Sequence, residues 1–345
     1  MRAAYVLDGD LLVGEADKPT PGEGQILVRI RACAICASDL HFLRGGKKMV
    51  ELSRELGGPY ASLDLDKKVV LGHEFVGEVV EYGPNSRATI KVGARVVSVP
   101  VVMGSGGHSV IGFDNNYPGG FSEFAVLDEK FVLEVPEHVD DDLAALVEPL
   151  AVGIEHARSG EPSVDDVAVI VGCGAIGLGV IAGLKLTGVS AIVAVDFSES
   201  RRQLALDMGA TVAIDPRERS PYDAIPELDG RRATIVYECV GVKGLLNEII
   251  NSVGYNTKIV MGGYSMAAEE IYIFTAQNKH LKVYFASGET PDDMALALKS
   301  IADGTTDVRP WLAPERIGLS GLKQALEDST APTAPIRTIV DPLLP

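Results

Sequence analysis

Val167-Ala-Val-Ile-Val-Gly172-Cys-Gly174-Ala-Ile-Gly177-Leu-Gly179-Val-Ile-Ala-Gly-Leu-Lys-Leu186 is the stretch that decides the fold. Its first five residues are apolar and mostly β-branched, which suits a buried strand; the run breaks into Gly-x-Gly-x-x-Gly and resumes with a helical pattern. The first glycine permits a tight turn, the second lets backbone approach a pyrophosphate, and the third allows close packing of helix on strand. The helix N-terminus then offers free N–H groups to an anionic phosphate. A further strand, Ala191-Ile-Val-Ala-Val195, ends at Asp196, close to the offset at which an acid meets an adenosine ribose. A carboxylate there accepts hydrogen bonds from ribose hydroxyls and repels a 2′-phosphate, so NAD is favoured over NADP. Arg201 and Arg202 pull the other way, since either could neutralise a phosphate.

Around this unit, residues 149–286 alternate strand and helix signals. Strands are expected at Val167–Val171, Ala191–Val195, Thr211–Ile214, Thr234–Glu238, Lys258–Met261 and Lys282–Phe285. Such alternation implies an α/β domain with a doubly wound parallel sheet. Residues 1–148 instead carry short β-type runs, Gln25–Ile30, Val69–Val80, Arg95–Pro100 and Phe121–Val126, separated by glycine and proline, which reads as a mostly antiparallel, barrel-like domain. Residues 287–345 hold a helix at Pro291–Ala302 and a closing Ile336-Arg-Thr-Ile-Val340, expected to return to the first domain.

Composition narrows the function. The chain has 345 residues, long enough for two domains, and 31 Lys plus Arg against 48 Asp plus Glu, a net charge of −17 that repels nucleic acid and acidic membranes. Four scattered cysteines suit a reducing compartment better than a disulfide framework. With a charge early in the N-terminal segment and no apolar run of about twenty residues, a cytoplasmic enzyme acting on a small molecule is expected.

Cys36, His73, Glu74 and Glu148 supply zinc chemistry. A catalytic zinc takes three protein ligands from thiolate, imidazole and carboxylate and keeps a fourth position open; Cys36, His73 and one carboxylate from Glu74 or Glu148 make such a set. Each has a blander reading. Cys33, Cys173 and Cys239 read as small buried hydrophobes; His108, His138, His156 and His280 have no partners at motif spacing. Ser38-Asp39 is common turn chemistry, and Glu148 before Pro149 could simply open a helix.

Cys36-Ala-Ser-Asp-Leu-His41, Gly72-His-Glu with Gly77, Glu148-Pro-Leu, and the glycine turn with Asp196 occur in the order of the zinc-dependent medium-chain alcohol dehydrogenases, and the chain resembles that family over nearly its whole length. Glu148-Pro-Leu is closest to the polyol-dehydrogenase branch. The resemblance implies a GroES-like catalytic domain beside a Rossmann domain, zinc and NAD as cofactors, and hydride transfer between NAD(H) and a secondary alcohol or polyol. It makes Cys36 and His73 zinc ligands, Glu74 a ligand or exchangeable carboxylate, and Glu148 the remaining ligand or the holder of a zinc water. Ser38 and His41 become a proton relay running through the cofactor ribose, and Asp39 the acid that orients His73. Cofactor contacts are expected from Gly172, Gly174, Ala175, Ile176, Gly177, Asp196, Arg201, Cys239, Val240, Met261, Gly262 and Arg337, the last as a pyrophosphate contact. A homodimer or homotetramer is expected, with Lys282–Phe285 at the joining sheet edge.

The sequence departs from the family twice. No cysteines stand between residues 95 and 125, where many relatives hold a structural zinc; Val101–His108 and the stretch to Pro118-Gly-Gly replace them, so one zinc per chain is expected. The gap from His41 to His73 is also long. Within it Met49, Leu52 and Leu56 recur at helical spacing, and the inserted segment 45–68 is expected to border the substrate cleft. Two other readings compete: a zinc-free NADPH-dependent reductase of the same fold, against which the intact Cys36, His73 and Glu148 count, and a non-catalytic nucleotide-binding protein, for which Ser38 and His41 would be superfluous.

Overall fold

A computed structural model of the chain describes residues 1–104, 107–227, 233–286 and 288–345. Ser105, Gly106 and Ser287 therefore lie outside the described residues. The chain divides into two compact units, Met1–Glu148 with Met294–Pro345, and Pro149–Asp293. The second division falls after Asp293, beyond the 286 expected from the strand pattern.

The first unit opens with strands β1 (Arg2–Leu7), β2 (Asp10–Glu15) and β3 (Gln25–Ala34), then helix α1 (Ala37–Leu56), then β4 (Glu74–Tyr82), β5 (Arg95–Ser98), β6 (Val101–Gly104), β7 (Gly107–Val110), β8 (Phe124–Asp128), β9 (Val132–Glu134) and helix α2 (Asp141–Ala145). Helix α3 (Val147–Ser159) leads into β10 (Val167–Val171), α4 (Ala175–Leu186), β11 (Ala191–Val195), α5 (Glu199–Asp207), β12 (Val212–Ile214), β13 (Ala233–Glu238), α6 (Leu245–Ser252), β14 (Lys258–Met261), α7 (Ile273–Asn278) and β15 (Lys282–Phe285). Helices α8 (Pro291–Ala302) and α9 (Leu322–Asp328) and strand β16 (Ile339–Val340) complete the chain.

In the second unit the six strands are parallel in the order β12-β11-β10-β13-β14-β15, so the order reverses at β10. Val167, Val169, Val193, Val236 and Ile259 are completely buried, which explains why these strands read as continuous apolar runs rather than alternating ones. Register aligns Val171 with Val195 and Glu238, and Glu238 with Met261. The turns that follow these residues therefore share one edge of the sheet, the carboxyl edge at which open α/β sheets bind ligands.

In the first unit the sheet runs β16-β3-β4-β5-β9, with β8 also on β3. β3 is the pivot: β8 pairs with its first half and β16 with its end, matching Ile339 to Ala34 and Glu74 to Ala34 across the other side. That register brings three stretches distant in sequence, those at Cys36, His73 and Arg337, to one end of the sheet.

Two local features differ from the sequence expectation. The strand read over Val69–Val80 starts only at Glu74. Gly72 interrupts it with φ +93°, where a Cβ would stand 2.9 Å from both Cys33 Sγ and the Phe121 amide. The apolar stripe Met49, Leu52, Leu56 is not the buried face of α1: Phe42, Gly46, Met49, Val50 and Ser53 are buried, while Leu56 is 76% exposed. Non-helical backbone at Gly45 kinks the helix, and Gly57 in the left-handed region ends it with an N–H to the Ser53 carbonyl.

Candidate metal and cofactor sites

Cys36 sits at the N-cap of α1, where its backbone N–H donates to Asp39 Oδ2 at 2.9 Å. The same carboxylate accepts the Gly72 N–H through Oδ1 at 3.2 Å, tying the start of α1 to the residue before His73. Asp39 is completely buried, and burial pushes its carboxyl up to about 6 against the opposing pull of His73. Its Oδ1 lies 3.8 Å from His73 Nδ1, so the role expected for Asp39 as an acceptor from His73 is a near approach here rather than a hydrogen bond.

Donor atoms of Cys36, His73 and Glu74 all lie within 4.8 Å of one another. Glu148, in the first turn of α3, brings Oε1 to 4.0 Å from His73 Nε2, and Ser38 Oγ stands 3.4 Å from the same nitrogen. Burial, followed by the charge of Glu74, pushes the Cys36 thiol well above its usual range, with Arg337 opposing. Two carboxyl groups, Glu74 and Glu148, and the Cys36 thiol thus crowd around one arginine. A thiol, an imidazole and carboxylates converging in such a negative pocket form a donor set that fits a divalent zinc.

Arg337, expected at a pyrophosphate, donates from Nε and Nη2 to the two carboxylate oxygens of Glu74 at 2.6 and 2.7 Å, with both side chains buried. Burial alone would lower the pKa of this guanidinium, but the charge and hydrogen bonds of Glu74, with Glu148 behind it, outweigh burial and raise it. His41 follows Ser38 by three residues on α1. Partial burial and then the Arg44 charge pull its imidazole below the usual histidine range.

The wall beside His73 was not legible from motifs. The Phe113 ring lies 5.5 Å from the His73 ring and 5.6 Å from those of Phe42 and Tyr60. Asn115 clamps the inserted segment by accepting the Asp64 N–H and donating to the Asp64 carbonyl, both at 2.9 Å, while Arg54 donates to the carbonyls of Ala61 and Leu63. The stretch standing in place of a cysteine lobe therefore supports both the insertion and a candidate ligand.

In the second unit Gly172 has φ +96°, Gly174 is the N-cap of α4, and a Cβ on Gly177 would fall 1.8 Å from the Gly172 carbonyl oxygen, so the third glycine is required by contact. Ala175, Ile176 and Gly177 form the first turn of α4. Asp196 accepts the Cys173 N–H at 2.9 Å and the Ser198 N–H at 2.8 Å, which fixes its carboxylate against the glycine turn. Arg202 is committed to the carbonyls of Asp196 and Phe197 and to the Asp215 carboxylate, which also takes Arg217. The buried Nε of Arg201 has no hydrogen-bond partner. Cys239 and Val240 follow β13, Met261 ends β14 and Gly262 follows it, all at the carboxyl edge. Among the remaining histidines, His156 is buried and paired with Glu155 at 2.8 Å.

Residues 22–137 match the alcohol dehydrogenase GroES-like domain, and residues 175–303 match the zinc-binding dehydrogenase family. The chain is 33% identical over 252 residues to (R,R)-butanediol dehydrogenase of Bacillus subtilis (strain 168), covering 70% of this chain and 71% of that one. A crystal structure of 2R,3R-butanediol dehydrogenase from Bacillus subtilis superposes with a TM-score of 0.83 at 28% identity, covering 99% of both chains. A putative zinc-binding dehydrogenase from Sinorhizobium meliloti 1021 bound to NADP gives 0.83 at 25% identity, again covering 99% of both. The chain belongs to the zinc-type medium-chain alcohol and polyol dehydrogenases, and it is an oxidoreductase.

Proposed function

We propose that this enzyme is a zinc- and NAD-dependent dehydrogenase of secondary alcohols or polyols, with one zinc per chain. The observation that carries the reading is the convergence of Cys36, His73 and Glu74 within 4.8 Å, with Glu148 and Ser38 both approaching His73 Nε2. The relatives named for butanediol favour a vicinal diol or its hydroxyketone as substrate.

Cys36, His73 and a carboxylate from Glu74 or Glu148 would hold the metal. Bound there, zinc supplies Lewis acidity that makes an alcohol hydroxyl acidic near neutral pH and polarises a carbonyl in reverse. Ser38 Oγ is placed to take the hydroxyl proton, and His41, one turn further along the same face of α1, is placed to release it. Arg337 orients Glu74 through its two hydrogen bonds. At the glycine turn the free N–H groups of α4 would hold the pyrophosphate, and Asp196 would take the adenosine ribose, its carboxylate favouring NAD.

We further propose that the chain forms a homodimer in the cytoplasm. The outer edge of β15 is unpaired among the described residues, and Tyr272, Ile273, Phe274 and Phe285 near it are largely exposed, an apolar surface suited to a second copy. No helix among the described residues is long and apolar enough to cross a membrane.

Elemental analysis of purified protein should give a zinc-to-chain ratio near one, and a panel of secondary alcohols and vicinal diols should reduce NAD, followed at the nicotinamide absorbance. Full activity in chelator-treated, metal-free protein would remove zinc from the mechanism, and a ratio near two would show a second site.

A further inference from the structure

Glu238 ends β13 with its side chain completely buried, yet among the described residues no cation is paired with it. Burying a carboxylate without a counter-charge is costly unless hydrogen bonds replace its water. Its Oε1 accepts the N–H groups of Val240 and Gly241, both at 2.7 Å. Its backbone carbonyl accepts those of Gly262 and Gly263 at 2.8 and 2.9 Å. Oε2 is buried and has no hydrogen-bond partner.

The same residue therefore fixes two turns, 239–241 after β13 and 262–264 after β14. These turns touch backbone to backbone. A Cβ on Gly263 would stand 2.1 Å from the Gly241 nitrogen and 2.7 Å from Glu238 Oε2, and one on Gly241, at φ +74°, would stand 2.4 Å from the Tyr264 carbonyl oxygen. Val240 in turn packs on the glycine turn, 2.7 Å from where a Gly172 Cβ would be. On its far side the Gly262 backbone lies against buried His156.

A doubly wound sheet of this strand order consists of two mononucleotide-binding halves that meet where the order reverses. Asp196, at the end of β11, marks the adenosine half. The turns after β13 and β14 belong to the other half, which takes the nicotinamide nucleotide. We propose that Glu238 is a positioning residue for the nicotinamide half of the cofactor, acting through the two turns it joins. The inference rests on the dinucleotide reading above.

Binding of NADH, read by nicotinamide fluorescence, and of 5′-AMP, read by calorimetry, separates the two halves. Glu238→Ala frees two amides and should weaken NADH by about ten- to a hundredfold while leaving AMP within about twofold. Glu238→Gln keeps the Oε1 acceptor and should stay within about threefold of wild type for NADH. Gly263→Ala, which pushes the two turns apart, should resemble Glu238→Ala and carries the test together with Glu238→Gln if Glu238→Ala does not fold. Equal weakening of AMP and NADH in the alanine variants, NADH affinity unchanged in them, or a Glu238→Gln defect as large as theirs would each overturn the proposal. Wild-type protein that binds no dinucleotide would instead refute the proposed function itself.

Discussion

Replacing Arg337 by methionine tests the electrostatic frame of the metal site. The guanidinium makes two short bonds to Glu74, is 7% exposed, and faces a carboxylate that is 1% exposed. Removing one member of such a pair leaves the other charge buried without compensation, at a cost of about 3–5 kcal/mol. Here the penalty is aggravated because the Glu148 carboxylate adds negative charge toward the same point. In a unit of this size that loss lowers the melting temperature by roughly 6–20 °C. Urea or thermal unfolding of chelator-treated protein measures it directly. Zinc should return part of the lost stability, because a divalent cation answers the carboxylate that the arginine leaves behind. Adding Glu74→Leu to Arg337→Met should also recover stability, since an apolar pair of similar volume carries no desolvation cost. Metal-free Arg337→Met within about 1 kcal/mol of wild type, well short of the expected loss, would refute the claim that the pair is electrostatically isolated from solvent.

Three further outcomes follow from the same geometry. Ser38→Ala should lower alcohol oxidation by about ten- to ten-thousandfold with zinc content and NAD affinity retained; near wild-type rates where chemistry limits turnover would remove Ser38 from proton transfer. In the proposed relay His41 accepts the proton in its neutral form, and its pKa lies below the usual range, so the acid limb of kcat/KM should fall below about pH 6.5. Arg44→Leu, by removing a positive charge, should move that limb upward, and an unmoved pH profile would separate His41 from the relay. Asp196→Gly should weaken NAD and narrow its advantage over NADP, but less than two free arginines would allow, because Arg202 is held by Asp215 and only Arg201 can turn to a phosphate. Wild-type turnover with NADP equal to that with NAD would overturn the assignment of Asp196.

What the sequence disclosed follows from what local spacing can encode. The strand, glycine turn and helix at 167–186 appear where expected because each glycine is demanded by contacts within a few residues or across one turn, as Gly177 is by the Gly172 carbonyl. The parallel strands were visible because burial on both faces makes them continuous apolar runs. The stripe Met49, Leu52 and Leu56 shows the limit of spacing: all three keep helical spacing, but the face that packs is Gly46, Met49, Val50 and Ser53, and Leu56 at the last turn stays exposed. Where Arg337 would go was beyond any such pattern. It lies 263 positions from Glu74, and only the pairing of β3 with both β4 and β16 brings them together.

That pairing also bears on how the site is assembled. Cys36 and His73 come from the two ends of a connection bridged by Asp39, which binds the backbone at Cys36 and Gly72 and so holds the loop ends locally. Arg337 is brought to Glu74 by the two-residue strand Ile339–Val340, placed against Ala34 and Cys33, and by its own backbone bonds to Trp311 and Ala313. Among the described residues the cation paired with Glu74 thus comes from the C-terminal segment, whereas Cys36, His73 and Glu74 are carried by α1, the turn before β4, and β4. Loss of the closing strand's contact should strip the charge compensation from Glu74 first and leave Cys36 and His73 held together by Asp39. The stability of Glu74 in its pocket is therefore linked to docking of the C-terminal segment.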